Sequence, residues 1–322
     1  MSKYLVTGGA GFIGSHITEQ LLKNGENVVV LDNFSSGKPE NLKFVKDYAD
    51  VGGAYTLIEG DICDLQTCKQ ACLGVDYVLH QAALRSVPAS MARPYDYNRV
   101  NIDGTLNMLN AAKECGVKRV VIASSSSVYG NTDQFPQQES QYPFLISPYA
   151  LTKLAGEYYC RIFSENFGLE TVCLRYFNVY GPRQALDDEY AVVIPKFISC
   201  VLNDKQPPIF GNGKQSRDFT FVKNVVQANL LSAVTPDISG SVFNVACGND
   251  HSVLELVDVL NDIAQKSIQP ELLPVRKGDV FKTLADISKM KEKLNYQPEF
   301  DFKQGLKITF DWFKKNLYTK EL

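Results

Sequence analysis

Only three histidines occur in these 322 residues, and the eight cysteines, at 63, 68, 72, 115, 160, 173, 200 and 247, are too sparse for a disulfide framework in a chain of this size. Cys63, Cys68 and Cys72 cluster, yet their segment reads as a helix beside acidic residues, and with so little histidine nearby no metal site is expected there. Charge of one sign is missing too. The 33 basic residues are scattered against 36 acidic ones for a net charge of -3, without the sustained basic block that a polyanion requires, so nucleic acid is not an expected partner. No apolar run is long enough to span a bilayer, and no charged-apolar-small leader precedes the first strand, so no membrane association and a cytoplasmic location are expected. Repeats, low-complexity tracts and long flexible linkers are absent. What is present is ordinary for a soluble enzyme: 45% hydrophobic residues, enough for one large or two closely joined domains with a sizeable core.

The first positive signal is at the N-terminus. An apolar run from Tyr4 to Val6 leads through Thr7 into Gly8-Gly9-Ala10-Gly11-Phe12-Ile13-Gly14, and a helical pattern follows through Leu21 and Leu22. Strand, tight turn and helix in that order, with Gly8, Gly11 and Gly14 as GxxGxxG, let the backbone bend sharply, approach a pyrophosphate and pack helix on strand. The helix N-terminus then offers unpaired N–H groups to the phosphates. A second strand, Asn27 to Leu31, ends in Asp32, about 20 residues past the glycines, where a ribose-binding carboxylate belongs. An acid there repels a 2′-phosphate and favours NAD over NADP. After the next apolar run comes Asp61-Ile62, which is either an adenine contact or an ordinary turn.

Strands and helices alternate through the first half: Val75 to His80, a helix from Asn101 to Cys115, then Arg119 to Ala123. This predicts an α/β protein, a doubly wound parallel sheet of Rossmann type, with a smaller mixed α/β substrate-binding lobe. The expected division is a dinucleotide domain over 1–178, to which about 219–245 returns, and a lobe over 179–218 and 246–322. After Leu174 regularity loosens into Gly- and Pro-rich loops, which in such folds form the second wall of a cleft.

Two further segments carry chemistry. Ser124-Ser125-Ser126-Ser127 follows the strand Val120 to Ala123, so four hydroxyls stand where a strand end opens on the cofactor crevice. Ser147-Pro148 is a helix-start signal, and it places Tyr149 and Lys153 four residues apart on one helical face. A free tyrosine, with pKa about 10, is a poor base, but nearby cations favour the phenolate. Lowering that pKa by about 3 units takes about 4 kcal/mol of differential stabilisation, which two cations in a dry cleft supply. A serine of the turn can bond a substrate oxygen while Tyr149 takes its proton.

On Thr7 to Gly14, His80-Gln81-Ala82-Ala83, Ser124 to Gly130, Tyr149 to Lys153, Arg175-Tyr176-Phe177-Asn178, Arg217-Asp218-Phe219 and Arg276-Lys277-Gly278-Asp279, the chain resembles the extended short-chain dehydrogenases/reductases over essentially its full length. Within them it is similar to the nucleotide-sugar 4-epimerases. The resemblance implies NAD held by Gly8, Gly11, Phe12, Ile13, Gly14, Asp32, Asn33, Ser35, Ser36, Gly37, Asp61, Ile62, Gln81, Ala82, Ala83, Tyr149, Lys153 and Tyr176. It implies that Ser125, with Ser126 assisting, holds the sugar O4, that Tyr149 is the base, and that Lys153 binds the nicotinamide ribose and keeps the phenolate charged. Asn178, Arg217, Arg276 and Asp279 would hold the UDP moiety, with Phe210 against the uracil, and Val193 would also bind the substrate. Forked hydrogen bonds from an arginine pair suit a diphosphate, and a carboxylate suits ribose hydroxyls. The implied reaction removes the O4 proton and the C4 hydride, gives a 4-keto sugar that turns about its bond to the diphosphate, and returns hydride to the opposite face, restoring NAD. A homodimer through a helix pair is implied as well, with 101–115 and 149–167 as candidates.

The resemblance places Thr283 against the hexose, small enough for a 2-acetamido group, and the loop Gln81 to Ser90, with Ser86-Val87-Pro88, looks like that of epimerases preferring N-acetylated UDP-hexoses. The expected reaction is therefore interconversion of UDP-N-acetylglucosamine and UDP-N-acetylgalactosamine. Arg85 departs from that pattern and either bonds an N-acetyl oxygen, meets a uronate carboxylate or faces solvent, which keeps UDP-N-acetylglucosaminuronate in view beside plain UDP-glucose. A 4,6-dehydratase would need an Asp-Glu pair where Ser126 and Ser127 stand, and a uronate decarboxylase a different loop after the third strand. A non-catalytic NAD sensor or scaffold on the same fold is disfavoured by the complete set of Ser125, Tyr149 and Lys153.

Overall fold

The computed structural model describes residues 1–48, 51–186, 193–275 and 280–318. In chain order the main elements are β1 (Lys3–Thr7), α1 (Phe12–Lys23), β2 (Asn27–Asp32), β3 (Tyr55–Glu59), α2 (Leu65–Cys72), β4 (Tyr77–His80), α3 (Gly104–Glu114), β5 (Arg119–Ser125), α4 (Pro148–Phe167), β6 (Glu170–Tyr176), α5 (Val222–Val234) and β7 (Ser241–Val245). The strands form one parallel sheet in the order β7-β6-β5-β4-β1-β2-β3. This is the doubly wound, Rossmann-type α/β architecture. The chain turns back between β1 and β4, so the carboxyl ends of those strands open on a crevice.

The strand sequences are apolar on both faces because helices cover both faces. Tyr4, Val6, Val28, Val30, Val121 and Val172 pack with Ile17, Leu21 and Val225 of α1 and α5. The alternate residues Leu5, Val29, Val78, Val120 and Ile122 pack with Cys68, Met108 and Cys160 of α2, α3 and α4. Each such side chain contributes about 1.5–3 kcal/mol by leaving water. A separate apolar cluster, with Phe197, Phe219, Phe221, Leu256, Phe302 and Phe310, builds the lobe from the helices Val193–Leu202, Val253–Ala264 and Phe302–Tyr318 and short paired strands. None of the described helices is long and apolar enough to cross a membrane.

Local chemistry explains the element ends. The Ser147 side chain accepts from the Ala150 N–H and Pro148 occupies the first turn of α4, while Gly168, at φ +69°, closes it in the left-handed conformation. Some boundaries differ from the sequence expectation. The strand expected from Val75 starts at Tyr77, because the Val75 N–H still closes the turn after α2 by donating to the Cys72 carbonyl. The helix expected from Asn101 is preceded by a widened π turn over Asn98–Asp103, where the Asn101 side chain bridges to Leu84 and Thr152. Cys63 lies ahead of α2, whose N-cap is Asp64, so two of the three clustered cysteines are helical. β5 runs two residues beyond Ala123 and carries Ser124 and Ser125 within the sheet.

Candidate active site

The glycine turn is built by close approach. Gly8 has φ +66°, and a Cβ there would lie 2.9 Å from the Ala82 amide nitrogen at the end of β4. A Cβ on Gly14 would come within 2.1 Å of the Gly8 carbonyl oxygen, so α1 can rest on the turn only if that residue has no side chain. The N-cap, Gly11, offers no side-chain cap, which leaves the first-turn N–H groups of α1 directed to the crevice. Asp32 is fixed by two backbone donors, Ala10 N–H at 2.9 Å and Phe34 N–H at 2.8 Å. Gly37 packs against it, since a Cβ there would meet the carboxylate at 2.7 Å. Asp61 accepts from Asn33 Nδ2 at 3.1 Å and from the Cys63 N–H at 2.8 Å, joining the ends of β2 and β3.

Beneath this turn His80 is buried and neutral. Its Nδ1 lies 2.7 Å from Thr7 Oγ1 and its Nε2 3.1 Å from Thr105 Oγ1. Because the Thr105 hydroxyl donates to the Asn101 carbonyl, it accepts from Nε2–H, so Nδ1 accepts from Thr7. Burial, with the Lys153 charge adding to it, pushes the imidazole pKa down to about 3.

A cleft of about 930 Å³ runs from the glycine turn across the sheet ends. Its walls include Gly8, Gly11, Phe12, Ile13, Gly14, Asp32, Asn33, Ser35, Ser36, Asp61, Ile62, Gln81, Ala82, Ala83, Arg85, Ser125, Ser126, Tyr149, Lys153, Tyr176 and Asn178. Ser127 donates to Ser125 Oγ twice, through its N–H at 3.1 Å and its hydroxyl at 2.9 Å. With those lone pairs occupied, the Ser125 proton is free to be offered to an oxygen in the cleft, which Tyr149 also lines. Burial raises the Tyr149 pKa, while the nearby Ser125 hydroxyl and the Arg85 charge pull it down, and Tyr97, edge-on at 6.4 Å between ring centres, pushes it up. Lys153 donates to the Ala123 carbonyl at 2.8 Å and stands 5.9 Å from the Tyr149 ring centre. Burial lowers its pKa to about 8. The hydroxyl of Tyr176 closes a ring with Gln81 and Asn229 at 2.8–3.1 Å.

Other expected site residues stand apart from these walls. The Ser86 hydroxyl caps the short helix Val87–Ala92, accepting from the Ala89 N–H, and its own N–H donates to Tyr97 Oη. Val193 opens a lobe helix, Phe210 ends the strand Pro208–Phe210, and Arg217 donates to the Ser216 and Phe281 carbonyls. Thr283 sits behind Asn178, its hydroxyl accepting from Asn178 Nδ2 at 2.8 Å. Arg276 and Asp279 lie outside the described residues. Sequence reasoning did not find Lys38, Lys43, Arg183, Trp312 or Asn316, which also line the cleft. The last two come from the C-terminal helix, far along the chain, and no local pattern marks them.

The uncapped α1 N-terminus, the side-chain-free turn and the anchored Asp32 fit a dinucleotide at one end of the cleft, with Tyr149, Lys153 and Ser125 at the other. The pattern of the NAD dependent epimerase/dehydratase family matches residues 4–246. A putative UDP-glucose 4-epimerase of Methanocaldococcus jannaschii is 35% identical over 97% of this chain and 98% of its own. A structure of UDP-N-acetylglucosamine 4-epimerase from Methanobrevibacter ruminantium, in complex with UDP-N-acetylmuramic acid, is 42% identical over 98% of this chain and 99% of its own, with a TM-score of 0.92. The UDP-glucuronic acid 4-epimerase of Bacillus cereus, solved with UDP-glucuronic acid and NAD, is 35% identical over 98% and 100%, with a TM-score of 0.87. The chain belongs to the NAD dependent epimerase/dehydratase family, within the extended short-chain dehydrogenases/reductases. It is an isomerase of the nucleotide-sugar 4-epimerase class, and its cofactor is NAD.

Proposed function

We propose that this protein interconverts UDP-N-acetylglucosamine and UDP-N-acetylgalactosamine by inversion at C4. The observation that carries the chemistry is the grouping in one cleft of Ser125, which accepts from Ser127, with Tyr149 and with Lys153 beside the same ring. In this reading Tyr149 removes the O4 proton and later returns it, Ser125 and Ser126 hold O4, and Lys153 keeps the phenolate charged. Bound NAD supplies reversible hydride acceptance at the sugar C4. Gly8 to Gly14, Asp32, Asn33, Ser35, Ser36, Gly37, Asp61, Ile62, Gln81 to Ala83 and Tyr176 hold it. Asn178, Phe210 and Arg217 serve the UDP moiety and Val193 the substrate, and the family resemblance implies the UDP task for Arg276 and Asp279 as well. The division into a dinucleotide domain, 1–178 with about 219–245, and a sugar-nucleotide lobe follows these roles. The likeness to the M. ruminantium enzyme, at 42% identity, supports an acetylated hexose.

Thr283 faces the hexose in this reading, and its hydroxyl, accepting from Asn178 Nδ2, ties it to a residue of the cleft.

One observation favours a second reading. Arg85 shares the cleft with Ser125 and Tyr149 and bears electrostatically on the phenol, so a hexose carrying a carboxylate would find a cation beside its reacting carbon. Product analysis by NMR, with UDP-N-acetylglucosamine, UDP-glucose, UDP-glucuronate and UDP-N-acetylglucosaminuronate supplied separately, decides between them. Fastest conversion of UDP-N-acetylglucosamine supports the first reading, fastest conversion of a uronate the second. No conversion of any, with NAD added, would remove the epimerase reading and favour a binding protein.

Leu151, Tyr158 and Ile162 form an exposed apolar stripe on α4 at helical spacing. We place a homodimer contact there; the buried α3 offers no comparable stripe. In this reading the protein supplies sugar nucleotides for polysaccharide synthesis in the cytoplasm.

A further inference from the structure

Tyr149, Lys153 and Glu157 follow one another at intervals of four on α4, so they share one helical face. All three reach the carboxyl end of β5. Tyr149 shares the cleft with Ser125, Lys153 bonds the Ala123 carbonyl at 2.8 Å, and Glu157 Oε1 accepts from Ser124 Oγ at 2.5 Å. Glu157 is also held bidentately by Arg175, Nε to Oε1 at 2.9 Å and a terminal nitrogen to Oε2 at 2.8 Å, and both side chains are only 5% exposed. Arg175 belongs to β6, where it is the register partner of Ser124, and on its other side it is the register partner of Asn244 in β7. Tyr129, whose ring lies 4.8 Å from the Arg175 guanidinium, donates to Asn244 at 2.6 Å. A buried polar row therefore crosses three adjacent strands and ends on α4. It lies one residue below the level of Ser125 and Tyr176, which are register partners and line the cleft.

A buried ion pair is a weak source of stability, because desolvation offsets most of the attraction, and an apolar pair of equal volume would serve packing as well. What it gives here is direction. A bidentate guanidinium–carboxylate contact admits one geometry, whereas apolar side chains on α4 could slide. Lys153 alone fixes α4 to β5 at one point. Glu157, tied to Ser124 on β5 and Arg175 on β6, fixes the helix along and around its axis.

We propose that Glu157 and Arg175 are positioning residues for the reaction: through Ser124 they set the placement of Tyr149 relative to Ser125 and so aim the Ser125 proton at the phenol oxygen. This rests on the reading of Tyr149 as the base. Without the row, α4 can move against the end of β5, the phenol drifts from Ser125, and the phenolate loses that donor while sugar nucleotide and NAD still bind.

The test uses the NAD-containing enzyme and two variants. Ser124→Ala removes one hydroxyl and leaves the ion pair intact, so it tests the link without burying an unpaired charge. Glu157→Gln keeps the shape but not the charge. Both are expected to lower kcat by about 10- to 100-fold, the loss expected for a misplacement of about 1 Å, with KM and NAD content unchanged. Both should also raise the phenol pKa of Tyr149, read as phenolate absorbance against pH, by about 1 unit or more. Should Glu157→Gln fail to fold, Ser124→Ala alone decides. A Ser124→Ala enzyme with wild-type kcat and phenol pKa would overturn the proposal and leave the pair a packing feature. Tyr149→Phe, run in parallel, separates the two levels: full activity in that variant would remove the base assignment itself, whatever Ser124→Ala does.

Discussion

Lowering the pH from about 7 to about 5 should weaken this protein through His80 in a way that one variant can isolate. The imidazole titrates at 6.5 when exposed, and burial between Thr7 and Thr105 holds it at about 3 in the folded chain. Since the folded value is the lower one, the unfolded chain takes up a proton that the folded chain refuses. The stability is whole above 6.5 and is lost as pH falls toward about 3. At about pH 5 the unfolded ring is almost fully charged and the folded ring almost fully neutral, so the loss relative to about pH 7 is about 2 kcal/mol. Other groups titrate in the same range, so the comparison is between wild type and His80→Asn, whose amide oxygen can still accept from Thr7 but does not titrate. Urea unfolding of both proteins at both pH values gives four stabilities. The wild type should lose about 2 kcal/mol more than the variant across the interval. Equal losses would refute the assignment of a buried, neutral His80 under the glycine turn.

Gly14→Ala should destabilise the chain by about 1–3 kcal/mol and abolish retention of NAD on purification, because the added methyl would sit 2.1 Å from the Gly8 oxygen and force α1 off the turn. Thermal melting and the cofactor content of the purified protein check both effects. Gly11→Ala, with 3.0 Å to the same oxygen, should be milder. Asp32→Asn should shift the preference between NADP and NAD by about 10-fold or more toward NADP, since a like-charge contact at about 4 Å is worth roughly 1–4 kcal/mol. Direct binding of both dinucleotides reads this out, and an unchanged ratio would mean that Asp32 does not face the ribose.

Much of the site was legible because it is local. The spacing of Gly8, Gly11 and Gly14 and the acid at Asp32 belong to one βαβ unit, and Ser147, Pro148, Tyr149 and Lys153 to one helix start, so short-range geometry carries them. The doubly wound parallel sheet followed from the alternation of apolar runs and helical patterns, while the order of its seven strands came only with the structure. What escaped depends on register between distant segments. Glu157 meets Arg175 and Ser124 only because β5 and β6 pair Ser124 with Arg175, and a buried carboxylate two turns past Tyr149 reads in sequence as an ordinary helical surface charge. Trp312 and Asn316 reach the cleft from the end of the chain by lobe packing. The π turn at Asn98–Asp103 has no sequence signature of its own and arises where Asn101 trades helical regularity for bonds to Leu84 and Thr152.

The most direct test of the account is the fate of hydrogen at C4. UDP-N-acetylglucosamine carrying deuterium at C4 is incubated with the purified protein in ordinary water, without added NAD, and the products are read by NMR. The account predicts UDP-N-acetylgalactosamine with deuterium still at C4, because the hydrogen leaves and returns as hydride within one closed cleft. Product bearing solvent hydrogen at C4 would contradict it, and with it the roles given to Tyr149, Lys153 and Ser125.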